Sequence, residues 1–382
     1  MNYEIVILGD IEMGGGTLTD DFIADRSLSQ LIKKYSKRRN PVELILNGDT
    51  FDFLKCPYII DGNKSYPRHI TAEISLSKLK LIHQAHYRVF EALAEFVKKK
   101  RNNLYFIIGN HDHDLFFKEI QKEIRKILKA NRNVFFKLCY KKYGVYTEHG
   151  QQYDFLNRIN RHKPFVTHKS KQILNIPWVA LGIISNFLSL KEEHPFMERI
   201  FPRPELFSKH KEVVKKIGWR SIDYLFKSLV YYPIRYFNDP TYFIPRTLLR
   251  ELYRRFRKVH WDVDNIVGVF KLKKKLTMKK HKVHVLGHVH ENYTEEKNNW
   301  VLIHPDTWRD EYRFDKHTRK LIPKIKKYVL IDVVDENVFK WQIVEWPLTR
   351  KPFIFGGVVR DEIKALEKAA KSEGYNFTVP KV

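Results

Sequence analysis

Five short segments collect acids, amides and imidazoles: Asp10-Ile11-Glu12, Gly48-Asp49-Thr50-Phe51-Asp52, Gly109-Asn110-His111-Asp112, His149-Gly150 and Gly287-His288-Val289-His290. Mixed oxygen and imidazole donors suit Mn, Fe, Zn or Ni better than calcium or a structural zinc. Two such cations roughly 3.5–4 Å apart repel unless anions lie between them, which a bridging carboxylate and a bridging hydroxide supply. The same ions polarise a phosphate and stabilise the extra charge of its displacement transition state. That chemistry needs neither cysteine nor a nucleophilic serine.

These residues must be carried by elements. Glu4 to Leu8, Val42 to Leu46 and Leu104 to Ile108 are short, almost wholly apolar runs, and each runs into a Gly-Asp or Gly-Asn turn. Open α/β folds place ligands just past the carboxyl ends of such strands. Between them a helical period runs from about Thr71 to Lys100, with Ile82, Ala85, Val89, Leu93 and Phe96 on one face. Apolar strands alternating with helices predict a sheet covered on both sides. From Phe155 to about Lys280 the pattern becomes helical, aromatic and basic, punctuated by prolines at 177, 195, 202, 204, 233, 240 and 245. Strands return at Val283 to Leu286, Trp300 to Ile303, Tyr328 to Val334 and Val338 to Val344. The last two read as a hairpin around Asp335-Glu336-Asn337, and an amphipathic helix follows from about Asp361 to Ala370.

In this order the five segments resemble the signature of the calcineurin-like metallophosphoesterases: D-x-H, G-D-x-x-D, G-N-H-[DE], a strand-end histidine, then G-H-x-H. The likeness spans Asp10 to His290. It implies a four-layer α/β/β/α sandwich with an inserted helical cap: residues 1–154 and 281–382 as the catalytic domain, 155–280 as the insertion. It also implies two divalent ions, manganese foremost, with Fe, Zn or Ni as alternatives. Asp49 would bridge them. Asp10 and His290 would hold the first, with Glu12 where the family usually has histidine. Asn110, His149 and His288 would complete the second. His111 resembles the histidine that protonates or stabilises the leaving oxygen, its ring oriented by Asp52 rather than Asp112. The implied reaction is in-line attack of metal-activated hydroxide on a phosphodiester, pyrophosphate or phosphomonoester. At Glu12 the pattern departs: a carboxylate adds negative charge and favours harder ions, or stands outside the coordination sphere. His113 reads as a supporting or surface histidine. Gly14-Gly15-Gly16 lacks the Gly-Lys-Ser/Thr of a Walker loop and reads as a turn beside the first metal.

With 382 residues and 43% hydrophobic content, the chain can bury a sizeable core. Its two cysteines, Cys56 and Cys139, exclude a disulfide framework or a thiolate zinc cluster. No run reaches the ~20 apolar residues of a membrane span, so a reduced, cytoplasmic protein is expected, with peripheral membrane binding open. The net charge is +26, and residues 155–280 hold 27 Lys and Arg against 10 Asp and Glu, so 17 of those charges lie there. Such a segment expects an anionic partner. Arg250, Arg254 and Arg257, beside Tyr253, Phe256 and Trp261, are candidate phosphate contacts, a solvated helix face being the alternative. Lys273-Lys274-Lys275 and Lys279-Lys280 have the same two readings. A more distant likeness points to the branch that hydrolyses UDP-diacylglucosamine at the membrane, where Trp178 to Leu190 would suit an acyl-chain pocket. That branch has Arg where this chain has His111 and Asp where it has Gln151. Basic charge interleaved with aromatics also fits a nucleic-acid phosphodiesterase, though no nucleic-acid module is present. A scaffold that has lost catalysis is the reading from another class.

Overall fold

A strand that is apolar at every position can be satisfied only when both its faces are covered. The structure, a computed structural model, describes residues 2–130, 132–158, 160–202, 211–242, 244, 250 and 263–378. In it β1 (Tyr3–Leu8), β2 (Val42–Asn47), β3 (Asn103–Ile107) and β4 (Val134–Lys137) pair in parallel. A second sheet is built from β5 (Tyr140–Lys142), β6 (Val145–Thr147), β7 (Val283–Val285), β8 (Asn292–Lys297) and β9 (Trp300–Pro305), in the order β8-β9-β7-β6-β5. The expected terminal hairpin, β10 (Lys326–Val334) with β11 (Asn337–Trp346), pairs antiparallel on the free side of β1.

The alternation of side chains sorts the core into layers. Ile5, Ile7, Ile45 and Ile107 pack with Val145, Val283, Val285 and Ile303 between the two sheets. Their neighbours Val6, Leu8, Leu44, Leu46 and Phe106 instead join the apolar faces of α1 (Asp25–Ser36), α2 (Ala72–Ala85), α3 (Tyr87–Lys98) and α4 (Lys118–Ile127). On the far side α5 (Val263–Lys273) lays Val263, Ile266, Val267 and Phe270 against Tyr146, Leu286 and Leu302. The result is the four-layer α/β/β/α sandwich.

Three features differ from the sequence reading. The helical period from Thr71 to Lys100 is two helices, broken at His86. That imidazole is buried, with Nδ1 2.8 Å from Asp25 Oδ1 and Nε2 3.0 Å from Asp20 Oδ2, and a straight helix could not deliver it there. The 155–280 region is not helical throughout: Phe165–His168 and Lys171–Leu174 form an antiparallel pair, and Leu174 N donates to Ile70 O at 2.9 Å. Finally, the apolar run Trp178 to Leu190 is partly committed to the core. It folds as a helix, Trp178–Asn186, followed by a short one, and Ala180, Leu181, Ile184 and Leu188 are spent in the main core. The terminal helix, Glu362–Ser372, falls where expected, its first turn capped by the Asp361 carboxylate on Lys364 N at 2.9 Å. Among the described residues no helix is long and apolar enough to cross a membrane.

Candidate metal centre

The carboxyl ends of β1, β2 and β3 and the loops after β6 and β7 deliver the site. Four of its residues adopt left-handed backbone: Asp10 (φ 25°), Glu12 (φ 58°), Asp49 (φ 47°) and His288 (φ 77°). Such conformations cost energy for residues with a Cβ, and concentrate where geometry serves function. The turns also approach too closely for side chains. A Cβ on Gly109 would sit 2.0 Å from Asp49 Oδ1, and one on Gly48 (φ 84°) 2.3 Å from the His149 ring. Asp112 clamps these turns together, accepting from Gly109 N at 2.7 Å and Thr50 N at 2.8 Å. Burial, with Asp49 nearby, pushes its carboxyl up to about 8.

Asp49 accepts from His111 N at 2.8 Å through Oδ1 and faces His149 Nε2 at 3.0 Å through Oδ2. Because His149 Nδ1–H donates to Asn47 O (3.0 Å), its Nε2 is left aimed at two oxygens, Asp49 Oδ2 and Asn110 Oδ1 (3.1 Å). A neutral imidazole nitrogen facing only acceptors needs a proton or a metal there. Burial works against a charge on His149, but Asp49 and Asp10 outweigh it and raise the imidazole to about 10. His288 is oriented by Asp154, at 3.0 Å from Nε2. One donor atom each of Asp49, His149 and His288 fits within a 4.8 Å span.

The second group lies around Asp10. Its carboxylate accepts from His288 N, and His290 Nε2 stands 3.5 Å from Asp10 Oδ1 and 3.6 Å from Glu12 Oε1. His290 Nε2 thus faces one oxygen of each of the two carboxylates. Glu311 accepts from His290 Nδ1–H at 2.9 Å, which turns Nε2 inward. The other Glu12 oxygen, Oε2, is held by two buried cations, Lys55 Nζ at 3.0 Å and Arg309 Nε at 3.4 Å.

His111 Nδ1 lies 3.0 Å from Asp52 Oδ1, so Asp52, not Asp112, stands beside the ring. Burial lowers the imidazole, but Glu12, Asp52 and Asp49 outweigh it and raise it to about 9. Glu12, Asp52 and His111 also cluster tightly enough for an ion. Lys55 Nζ already occupies that place electrostatically, 2.9 Å from Asp52 Oδ2 and 3.0 Å from Glu12. Behind it Asp21 gathers Lys55 (2.6 Å), Arg309 (2.9 Å) and Lys191. His113 and His304 are both buried without a hydrogen-bond partner for either ring nitrogen among the described residues, and burial pushes each down to about 3.

The structure thus gathers Asp10, Glu12, Asp49, Asp52, Asn110, His111, His149, His288 and His290. Arg250 is exposed, and Arg254 and Arg257 lie outside the described residues, with Tyr253, Phe256 and Trp261. Gln151 is buried, donating to Ile108 O at 3.1 Å. Sequence reasoning missed Lys55, Asp21, Asp154, Arg309 and Glu311. Two of them had a visible signal: the run Thr307-Trp308-Arg309-Asp310-Glu311 puts charges directly after an apolar strand. Both cysteines are free thiols, and burial pushes Cys56 far above its ordinary value, which disfavours its thiolate as a nucleophile.

An α/β/β/α sandwich thus carries carboxylates, an amide and imidazoles that converge at its strand ends. The chain belongs to the calcineurin-like phosphoesterase family, whose profile matches residues 3–292. Among solved structures it is similar to one assigned as a 5'-nucleotidase from Staphylococcus aureus in complex with alpha-ketoglutarate. That match has 11% identity and a TM-score of 0.31, and covers 97% of this chain and 58% of the other. It is also similar to the phosphopantetheinyl hydrolase from Mycobacterium tuberculosis, at 11% identity and a TM-score of 0.26, covering 80% of this chain and 89% of the other. The chain therefore spans little more than half of the first of these. No curated protein matches it in sequence.

Proposed function

We propose that this chain is a dinuclear phosphoester hydrolase. Its substrate is a phosphodiester, pyrophosphate or phosphomonoester on a lipid-linked or nucleotide molecule, reached from an anionic membrane surface. One observation supports the catalytic part: the Asp49 carboxylate faces His149, which also faces Asn110, while the Asp49 carbonyl oxygen accepts from Glu12 N at 2.7 Å, His290 faces Asp10 and Glu12, and the His111–Asp52 pair lies alongside. Divalent ions held there, manganese first and Fe, Zn or Ni as alternatives, would polarise the phosphate and supply an activated water.

The chain's own residues do the rest. His149 and His290 are fixed by Asn47 O and Glu311, so their Nε2 atoms need no reorganisation to ligate. Asp52 holds His111 so that its other nitrogen can serve the leaving oxygen. Lys55 and Arg309 offset the negative charge that Glu12 adds where the family usually has a neutral imidazole. In this reading residues 155–280 are an insertion that governs access, although α5 within it also forms the outer layer of the second sheet.

Manganese-loaded protein should hydrolyse an aryl phosphodiester or monoester. His111→Gln should lower kcat about 10²–10⁴-fold at unchanged metal content, and Asp49→Asn should lose both metal and activity. Absence of metal-dependent hydrolysis of either ester would favour the non-catalytic scaffold.

The membrane part rests on a separate surface. Val214, Trp219, Ile222, Leu225, Phe226, Leu229, Val230, Ile234 and Phe237 are each 43–75% exposed. Lys211, Lys215 and Arg235 are exposed among them, as are Glu212 and Asp223, which pair with Lys216 and Lys227. An apolar face rimmed by basic residues fits an anionic bilayer better than a nucleic acid, which would reward stacking aromatics in a charged groove.

A further inference from the structure

Outside the candidate metal centre, one other group of side chains among the described residues converges with metal-ligand chemistry. His69 precedes α2 in the catalytic body, His168 ends the strand Phe165–His168, and Asp239 precedes the turn at Pro240–Tyr242. Three distant stretches of chain bring two imidazoles and one carboxylate within 4.8 Å. Asp239 Oδ1 is committed to Thr241, accepting from its N at 3.0 Å and its Oγ1 at 2.7 Å. Oδ2 is thereby turned to the imidazoles, 2.6 Å from His69 Nε2 and 3.9 Å from His168 Nε2. The two rings stack at 4.5 Å with 19° between their planes, so both Nε2 atoms approach the same oxygen from one side. A single proton satisfies one of those nitrogens and leaves the other at a distance too long for a hydrogen bond.

A cation serves both. Zinc–nitrogen and zinc–oxygen bonds of roughly 2.0–2.2 Å set donor atoms about 3.3 Å apart in a tetrahedron, between the two distances seen. His69 is 40% exposed, while His168 (11%) and Asp239 (7%) are largely covered. The group is anchored on one side and open to water on the other, as an ion with a solvent ligand requires. Two imidazoles and a carboxylate without thiolate suit zinc first. From this geometry we infer that His69, His168 and Asp239 form a second, structural metal site that clips the insertion to the catalytic body.

The position gives the clip a consequence. Arg68, adjacent to His69, donates to Thr241 O at 2.7 Å and lies 4.1 Å from the Tyr242 ring centre. The same seam therefore anchors the end of the helical stretch 211–242 that carries the exposed apolar face. A metal there ties the orientation of that face to the catalytic body.

The test uses the full chain, stripped by chelation and reloaded with zinc alone. Zinc should slow diethyl pyrocarbonate modification of both His69 and His168 about tenfold, since a ligated nitrogen cannot react. Peptide mass spectrometry reads these two histidines separately from those around Asp49. The double variant His69→Gln/His168→Gln and the single variant Asp239→Asn should each retain about one equivalent of zinc less than the parent. Trypsin should cut the insertion faster in them than in the zinc-loaded parent. Equal modification rates with and without zinc in the unaltered chain would overturn the site, as would unchanged zinc content in the variants.

Discussion

At position 12 a carboxylate stands where the family usually has histidine, and two buried cations stand beside it. A glutamate adjacent to Asp10 and near Asp49 would accumulate negative charge beyond what a metal pair neutralises. Lys55 and Arg309, both buried, take one of its oxygens and leave the other facing His290. Glu12→His should therefore shift metal preference, raising zinc or iron content relative to manganese in protein grown on mixed metals. It should also lower Tm, because two buried cations lose a carboxylate partner, and breaking buried pairs typically costs about 3–5 kcal/mol. Unchanged metal content in a folded variant would place Glu12 outside the coordination sphere. The candidate ligands were legible in the sequence because each sits in a short motif at a strand end. The compensating cations were not: Lys55 and Arg309 lie 254 residues apart, and only folding brings both to one carboxylate oxygen.

Elements carry a different kind of information. Strand positions were readable because continuous apolar runs admit few alternatives, and the hairpin at Asp335-Glu336-Asn337 because its turn is short and polar. The break between α2 and α3 was not, since apolar spacing continues smoothly from Ile82 through Ala85 to Val89 while the backbone turns at His86. The cause is a tertiary electrostatic contact: His86 lies buried between Asp25 at the start of α1 and Asp20, and its ring stacks 5.0 Å from Tyr375. Burial disfavours its charge, yet Asp25 and Asp20 raise it to about 10. The folded value exceeds the unfolded one of about 6.5, so the stabilisation is complete below about pH 6.5 and is lost as pH rises through about 10. Thermal melts from pH 6.5 to 10.5 should show a falling Tm. In His86→Gln, which starts lower, the fall should be shallower. Parallel declines in parent and variant would assign the pH dependence to other groups.

For the molecule as a whole, charge placement was legible and surface shape was not. The basic excess in 155–280 is plain in the sequence, but within the apolar run Trp178 to Leu190 the fold commits Ala180, Leu181, Ile184 and Leu188 to its main core. The helix Lys211–Phe226 and its continuation to Arg235 instead turn their small inner face toward the body, where Tyr224 packs on Trp178 at 5.1 Å. Ile222, Leu225, Phe226, Leu229 and Val230 recur at spacings of three and four on the outer side. A soluble helix ordinarily presents the reverse. Each such side chain stands to gain roughly 1.5–3 kcal/mol if fully buried, and partial immersion in a bilayer interface would recover a share of that from several at once. Nucleic acid offers no comparable apolar phase. Binding to vesicles containing anionic lipid should thus have two components: one that weakens as salt shortens the Debye length, and one that survives at high salt. Trp219→Ser with Phe226→Ser should remove the salt-resistant part and leave the salt-sensitive part largely intact, whereas Lys215→Gln with Arg235→Gln should do the opposite. Catalysis on a small soluble phosphoester should be unchanged in both, because neither pair touches the Asp49 centre. If all binding vanishes at high salt in the unaltered chain, the apolar face serves a different partner, and tighter retention on single-stranded nucleic acid than on vesicles would point to the phosphodiesterase alternative.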